Sequence, residues 1–271
     1  MASWDPPSVV SDMFSKEFSK NSMELDRTGN APVAGARFEE ELERGEERYQ
    51  LYSLATPNGQ KVSIMLEELG VGYDAFKINI GAGEQFSTGF TKVNPNGKIP
   101  ALVDTQSPGG GDYNVMETAS ILLYLAEQHD KFLPKDFKAR HNVMQWLFFQ
   151  MGSAPYLGQF NHFFSYAPKD KVEARQYGVE RYGMECKRVL SVLENELKMN
   201  QFLGGDEYSI ADIANYPWAK IMVEKERGSF LEADDYPSVK RWVDEITARP
   251  AVERGLTVCG FSSELAKPWL K

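Results

Sequence analysis

The strand-like runs of this chain are confined to its first half, and beyond Phe132-Leu133-Pro134 only helical spacing of apolar residues recurs. A chain so divided folds as a small mixed α/β domain followed by an all-helical one. The mixed half opens at residues 49–54 with a short apolar run that is stopped by Thr56-Pro57-Asn58-Gly59. Val62, Met65, Leu66 and Leu69 then follow at helical spacing, which predicts a helix over 60–69. Pro57 suits a first helical turn, and Thr56 or Asn58 can accept a bond from the unpaired N–H groups there.

An alternating run over 73–80 gives a second strand, and Gly81-Ala82-Gly83 leads into a short segment ending at Val93-Asn94-Pro95. Residues 99–104 and 113–116, on either side of Gly109-Gly110-Gly111, read as an antiparallel hairpin. Glu117-Thr118 opens a helix that buries Ile121, Leu122, Leu125 and Ala126. Helices are expected over 140–151, 171–199, 210–223 and 238–248, the second with Cys186, Val189, Leu190, Leu193 and Leu197 as its buried stripe. The resulting division is an extended arm over 1–48, an α/β domain over 49–132, a helical domain over 138–260 and a tail.

At 271 residues with 42% hydrophobic side chains, two domains with real cores are affordable. A formal net charge of -9 argues against a phosphate-backbone binder, so no nucleic-acid partner is expected. The two cysteines, Cys186 and Cys259, form no C-x-x-C pair, which leaves neither a disulfide framework nor a zinc knuckle to read. No basic leader precedes an apolar core, and no stretch is apolar for long enough to cross a bilayer. The expectation is a cytoplasmic protein without a membrane partner or a metal.

Two pairs of residues carry chemistry. Proline at the start of a strand belongs at an edge, and a cis Ile99–Pro100 bond turns the Ile99 backbone outward to a peptide-like ligand; a trans proline merely opens the strand. A hydroxyl and free N–H groups at a helix start suit a carboxylate, and an adjacent glutamate suits an ammonium. Glu117 and Thr118 together therefore fit the two charged groups of an amino acid, or form a plain helix cap with an acidic neighbour.

With the order β-α-β, proline-led hairpin, helix and helical domain, the chain resembles the glutathione transferase superfamily, whose N-terminal domain is thioredoxin-like. The resemblance rests on YSLATPNGQKV (52–62), VNPNGKIPAL (93–102), METASILLYLAE (116–127) and GDEYSIADIANYPW (205–218). More narrowly it is similar to the nu class and its fungal relatives of the yeast nitrogen-regulator type, in which T-P-N-G-x-K-V stands where other classes place a catalytic Tyr, Ser or Cys. Thr118 departs from the serine common there but keeps the hydroxyl. The TGNAPVAG segment (28–35) also resembles that subgroup's N-terminal extension.

The resemblance implies that Glu117 and Thr118 hold the γ-glutamyl end of glutathione, that the Ile99 backbone pairs with its cysteinyl unit, and that Lys98 and Gln85 reach its glycyl end. It further implies two glutathiones per site, with Arg181 serving the second and Asn30 closing over both. Lowering a thiol pKa from about 8.5 to about 6.5 takes roughly 2.7 kcal/mol. A helix N-terminus supplies about 0.3–2 kcal/mol and a hydrogen bond to a charged sulfur about 1.5–3. Neutral groups suffice, so Thr56 and Asn58 are the candidate catalytic residues, Thr56 being otherwise simply the helix cap.

Cys186 lies in an apolar stripe and Cys259 in the tail, so the chemistry is expected to run between bound small molecules. The expected activity is glutathione-dependent reduction of organic disulfides by a homodimer, ranked above conjugation to electrophiles, with weak peroxidase activity as a side reaction. A non-enzymatic glutathione-binding regulator is the alternative, although the yeast relative's long Asn/Gln-rich extension has no counterpart here. Residues 155–168, dense in aromatics and including His162, are either pocket wall or core and dimer contact. Ser209 to Asp212 forms a capping box, with Tyr208 and Ile213 as its staple.

Overall fold

The computed structural model describes residues 34–261. Asn30 and most of the arm lie outside the described residues. A four-stranded sheet in the order β2-β1-β3-β4 is built from β1 (Tyr49–Ser53), β2 (Tyr73–Lys77), β3 (Ala101–Asp104) and β4 (Tyr113–Met116). β1 and β2 run parallel, whereas β3 is antiparallel to both β1 and β4. Period-two alternation decides which face each side chain takes. Tyr49 and Leu51 join a core with Leu102, Val115 and the two helices α1 (Pro57–Leu69) and α3 (Thr118–His129). Tyr52, Ala101 and Val103 point the other way, against Phe90 of the short α2 (Thr88–Val93). This is the thioredoxin-like sheet and helix arrangement that the strand order anticipated.

The helical domain comprises α4 (Phe137–Asn161), α5 (Val172–Met199), α6 (Ile210–Val223), α7 (Lys225–Phe230), α8 (Pro237–Thr247) and α9 (Pro250–Gly255). α4 runs ten residues past the expected stop at Met151, straight through Pro155. α7 and α9 are too short to carry a period and were not anticipated. Tyr208, expected to staple against Ile213, sets its ring edge-on to Phe132 and Phe202.

The two domains share one apolar core, because α1 is covered on its outer side by α6 and α9. A β-carbon on Gly255 would stand 2.7 Å from the Ile64 α-carbon, so only glycine lets the backbones approach this closely. The Ser63 hydroxyl donates to the Gly255 carbonyl at 2.7 Å, and the Ala55 N–H donates to the Cys259 carbonyl at 3.0 Å. The N-terminal end of α1 is thereby clamped between the domains.

Candidate active site

α1 begins at Pro57, three residues before the expected start at Gln60, since Pro57 occupies the first turn and Gly59 is helical. Thr56 is its cap: the Gly59 N–H donates to Thr56 Oγ1 at 3.3 Å. Of the two capping candidates Thr56 takes the role, and Asn58 lies inside the first turn. A hydroxyl that accepts through a lone pair still has its proton to give. At Asn58 the Trp218 indole N–H donates to Oδ1 at 2.8 Å, reaching across from α6. An indole nitrogen only donates, so the atom it meets is the amide oxygen, and the Asn58 NH2 group is left to face elsewhere.

Asn58 and Trp218 line a cavity of about 520 Å³ between the domains. Its second wall is the loop before β3. The Asn94 side chain, buried, donates to the Lys98 carbonyl at 2.6 Å and accepts from the Asn96 N–H at 3.0 Å, which folds 94–98 into a fixed turn. That turn presents Lys98 and Ile99, and the Ile99–Pro100 peptide bond that follows is cis.

The third wall is the start of α3. Glu117 is held at a φ of 65°, in the left-handed region where a residue with a β-carbon costs of order 1–3 kcal/mol. The strain sets Glu117 beside the free N–H groups of α3, and Thr118 beside it is buried. The Asn96 amide donates to Glu117 Oε1 at 3.4 Å and ties the loop to the helix start.

Behind Thr118 lies Lys61, only 1% exposed although it is a lysine. Its Nζ donates to Gln150 Oε1 at 2.6 Å and to Thr118 Oγ1 at 3.3 Å. Burial pushes the ammonium down to about 7, against the opposing pull of the Glu117 charge. On the α4 side Met151 and Pro155 close the cavity. Pro155 has no N–H, so the Met151 carbonyl lacks its usual helical partner.

Asn58, Lys98, Ile99, Glu117 and Thr118 thus meet in one cavity. Thr56 sits at the helix mouth beside it, half-buried and outside its lining. Gln85 is buried at 7% exposure with Oε1 unpartnered, and does not line the cavity. Arg181 is exposed on α5, also outside the lining, as is His162. Of the aromatic-rich stretch, Pro155, Gly158 and Gln159 reach the cavity while Phe160 is core. Lys61, Asn94 and Trp218 were not singled out from sequence. A lysine on the apolar stripe of α1 was the available signal for the first, whereas the Trp218–Asn58 bond spans 160 positions and leaves no local trace.

Both cysteines are free and buried. Burial drives the Cys186 thiol far above its ordinary value and pushes Cys259 up to about 12, so neither offers a thiolate near neutrality. Among the described residues no group of three His, Cys, Asp or Glu is placed to hold a metal ion, and no helix is long and apolar enough to cross a membrane.

Residues 55–128 match the model of the glutathione S-transferase N-terminal domain and residues 142–250 that of the C-terminal domain. The disulfide-bond oxidoreductase YghU of Escherichia coli is 50% identical over 240 residues, which span 84% of this chain and 81% of that one. A solved glutathione transferase YghU from Streptococcus pneumoniae, complexed with glutathione, superposes with a TM-score of 0.82 at 43% identity, covering 94% of this chain and 98% of that one. A Burkholderia graminis glutathione transferase, solved with two glutathione molecules per subunit, gives 0.74 at 42% identity over 78% and 88% of the two chains. The chain belongs to the glutathione S-transferase family.

Proposed function

We propose that this chain reduces organic disulfides with glutathione, ahead of any conjugation to electrophiles. In this reading Glu117 takes the ammonium and Thr118 with the α3 N–H groups the carboxylate of the γ-glutamyl unit, Ile99 pairs its backbone with the cysteinyl unit, and Lys98 meets the glycyl carboxylate. The sulfur then lies at the mouth of α1, where the Asn58 NH2 and the Thr56 hydroxyl donate to it. The thiolate attacks one sulfur of a disulfide RSSR′, forming the mixed disulfide GSSR and expelling R′S⁻, which takes a proton from water. A second glutathione thiolate attacks GSSR, giving oxidised glutathione and RS⁻. Two electrons pass from two glutathiones to one disulfide, and no protein thiol takes part.

The observation that carries this reading is the Asn58 amide, turned by Trp218 so that its oxygen is occupied while its NH2 group donates to none of the described residues. A site lined by a carbonyl oxygen instead would repel an anionic sulfur. The relatives described above lend support, one named as a disulfide-bond oxidoreductase and another solved with two glutathiones. The discriminating assay follows NADPH loss with glutathione, glutathione reductase and 2-hydroxyethyl disulfide, beside a dinitrochlorobenzene conjugation assay. Reductase activity well above conjugation is expected, whereas activity in neither favours a glutathione-binding regulator.

Trp218→Phe keeps an aromatic ring on α6 and removes the indole N–H together with the pyrrole half of the side chain. Freed to rotate, the Asn58 amide donates to the sulfur part of the time, so kcat/KM is expected to fall about 2- to 10-fold, the worth of one neutral hydrogen bond. Unchanged kinetics in a folded Trp218→Phe contradicts the orienting role.

The assignment of Arg181 to a second glutathione, with Asn30 closing the site, belongs to the same reading. Titration is expected to count two glutathiones per chain in the wild type and one in Arg181→Ala; two in both removes Arg181 from the site. We also propose a cytoplasmic homodimer. Two free cysteines suit a reducing compartment, and Tyr113, Met116, Phe148 and Met184 expose large apolar area for a second copy to cover. Light scattering at twice the chain mass is the expected result.

A further inference from the structure

Lys61 is a buried amine in the wall of the cavity with no anionic hydrogen-bond partner among the described residues. Both of its hydrogen bonds, to Gln150 Oε1 and Thr118 Oγ1, go to neutral oxygens. A neutral amine has two N–H donors and an ammonium has three. The two acceptors satisfy the amine and leave the third proton of the ammonium unpartnered among the described residues. The charges around it are few. Glu117, on the far side of Thr118, is exposed and bonded to Asn96, and Lys98 lines the cavity from the opposite loop. The neighbours from α4, α6 and the first turn of α1, namely Gln150, Met151, Trp218 and Asn58, do not titrate near neutrality.

We propose that a carboxylate seated on Thr118 draws a proton from solution onto Lys61, so that binding of the glutathione backbone is coupled to proton uptake at this lysine. The inference rests on the reading that the cavity holds glutathione, and it makes Lys61 the buried counter-ion of the γ-glutamyl carboxylate, acting beside and through the Thr118 hydroxyl. Donation from Nζ into Thr118 Oγ1 also leaves that hydroxyl its proton to turn toward the ligand, in place of the 3.7 Å contact with Met151 Sδ.

The sign of the pH dependence follows. With the empty-site lysine titrating at about 7, the ammonium is already formed at pH 6, and a ligand carboxylate finds its partner without uptake. Above that value the ligand must bring a proton with it, so affinity falls as pH rises, by up to about tenfold per unit. Glutathione itself releases a proton when its thiol ionises, which offsets the uptake and hides it in ordinary titrations. A thiol-free analogue exposes it.

The test is calorimetric titration of the purified protein with S-methylglutathione in buffers of different ionisation enthalpy. Uptake that is small at pH 6 and grows toward one proton per site as pH rises past neutrality is expected. Lys61→Met, which has no charge, and Lys61→Arg, which keeps its charge throughout, are both expected to lose the lysine's share, leaving only the uptake that the ligand's own amine makes when it binds as an ammonium. Either variant suffices if the other fails to fold. Binding without uptake in the wild type overturns the inference and spares the reading of the site, as does uptake left undiminished in either folded variant. No binding of S-methylglutathione overturns both.

Discussion

Asp212→Ala is expected to fold poorly, with a urea midpoint well below that of the wild type. The carboxylate is fully buried and accepts four hydrogen bonds: from the Leu203 N–H at 2.9 Å, the Trp242 indole at 2.9 Å, the Ser209 N–H at 3.0 Å and the Ser209 hydroxyl at 3.0 Å. These bonds join the start of α6 to the preceding loop and to α8, and none of these residues lines the cavity. Burial still pushes the group up to about 6, because four donors do not fully repay its lost water. Removing it strands every donor, and each buried orphan costs about 1–3 kcal/mol. Even with water filling part of the space, a loss of about 3 kcal/mol or more is expected, against a total stability of about 5–15 kcal/mol. Urea unfolding with an unchanged slope measures it, and a midpoint like that of the wild type refutes a structural role. Asp212→Asn should fall between, since one oxygen remains while its NH2 group meets a donor.

Asn58→Ala is expected to leave folding intact and lower kcat/KM for disulfide reduction about 10- to 100-fold. A hydrogen bond to a charged group is worth about 1.5–3 kcal/mol, and this is the donor assigned to the thiolate. KM for glutathione should move less than kcat, because the tripeptide backbone is gripped elsewhere, at Ile99, Lys98 and Thr118. A variant with normal kcat and a raised KM demotes Asn58 to a binding residue. Trp218→Phe in an Asn58→Ala background should add nothing further, as the indole acts only through the amide.

The fold was readable because its signals are local. A short apolar run marks β1, an alternating run β2, and two short segments about Gly109-Gly110-Gly111 mark β3 and β4, while the Ser209 cap announces α6 next to the residue where it starts. The errors have local causes too. Pro57 and Gly59 look like a turn, yet Pro57 at the first helical position and a Thr56 cap let α1 begin there. Pro155 looks like a stop, but α4 is long enough on both sides to absorb one missing bond. Of the residues that line the cavity, Lys98, Ile99, Glu117, Thr118 and Asn58 could be singled out in advance, by their charge or by a distinctive neighbour. What positions them could not. Asn94 acts through the Lys98 carbonyl, Trp218 through an amide 160 positions away, and Lys61 through a glutamine on another domain. Such partners are chosen by packing, which composition and spacing do not encode. Gln85 shows the converse: a loop amide that reads as available is buried.

The decisive measurement is the acidity of the bound thiol, followed by thiolate absorbance as glutathione-saturated protein is titrated. The sulfur is expected to ionise near pH 6.5, about two units below a free thiol, and to move back toward 8.5 in Asn58→Ala. A bound thiol that titrates like the free one in the wild type contradicts the claim that neutral donors at the mouth of α1 keep it anionic.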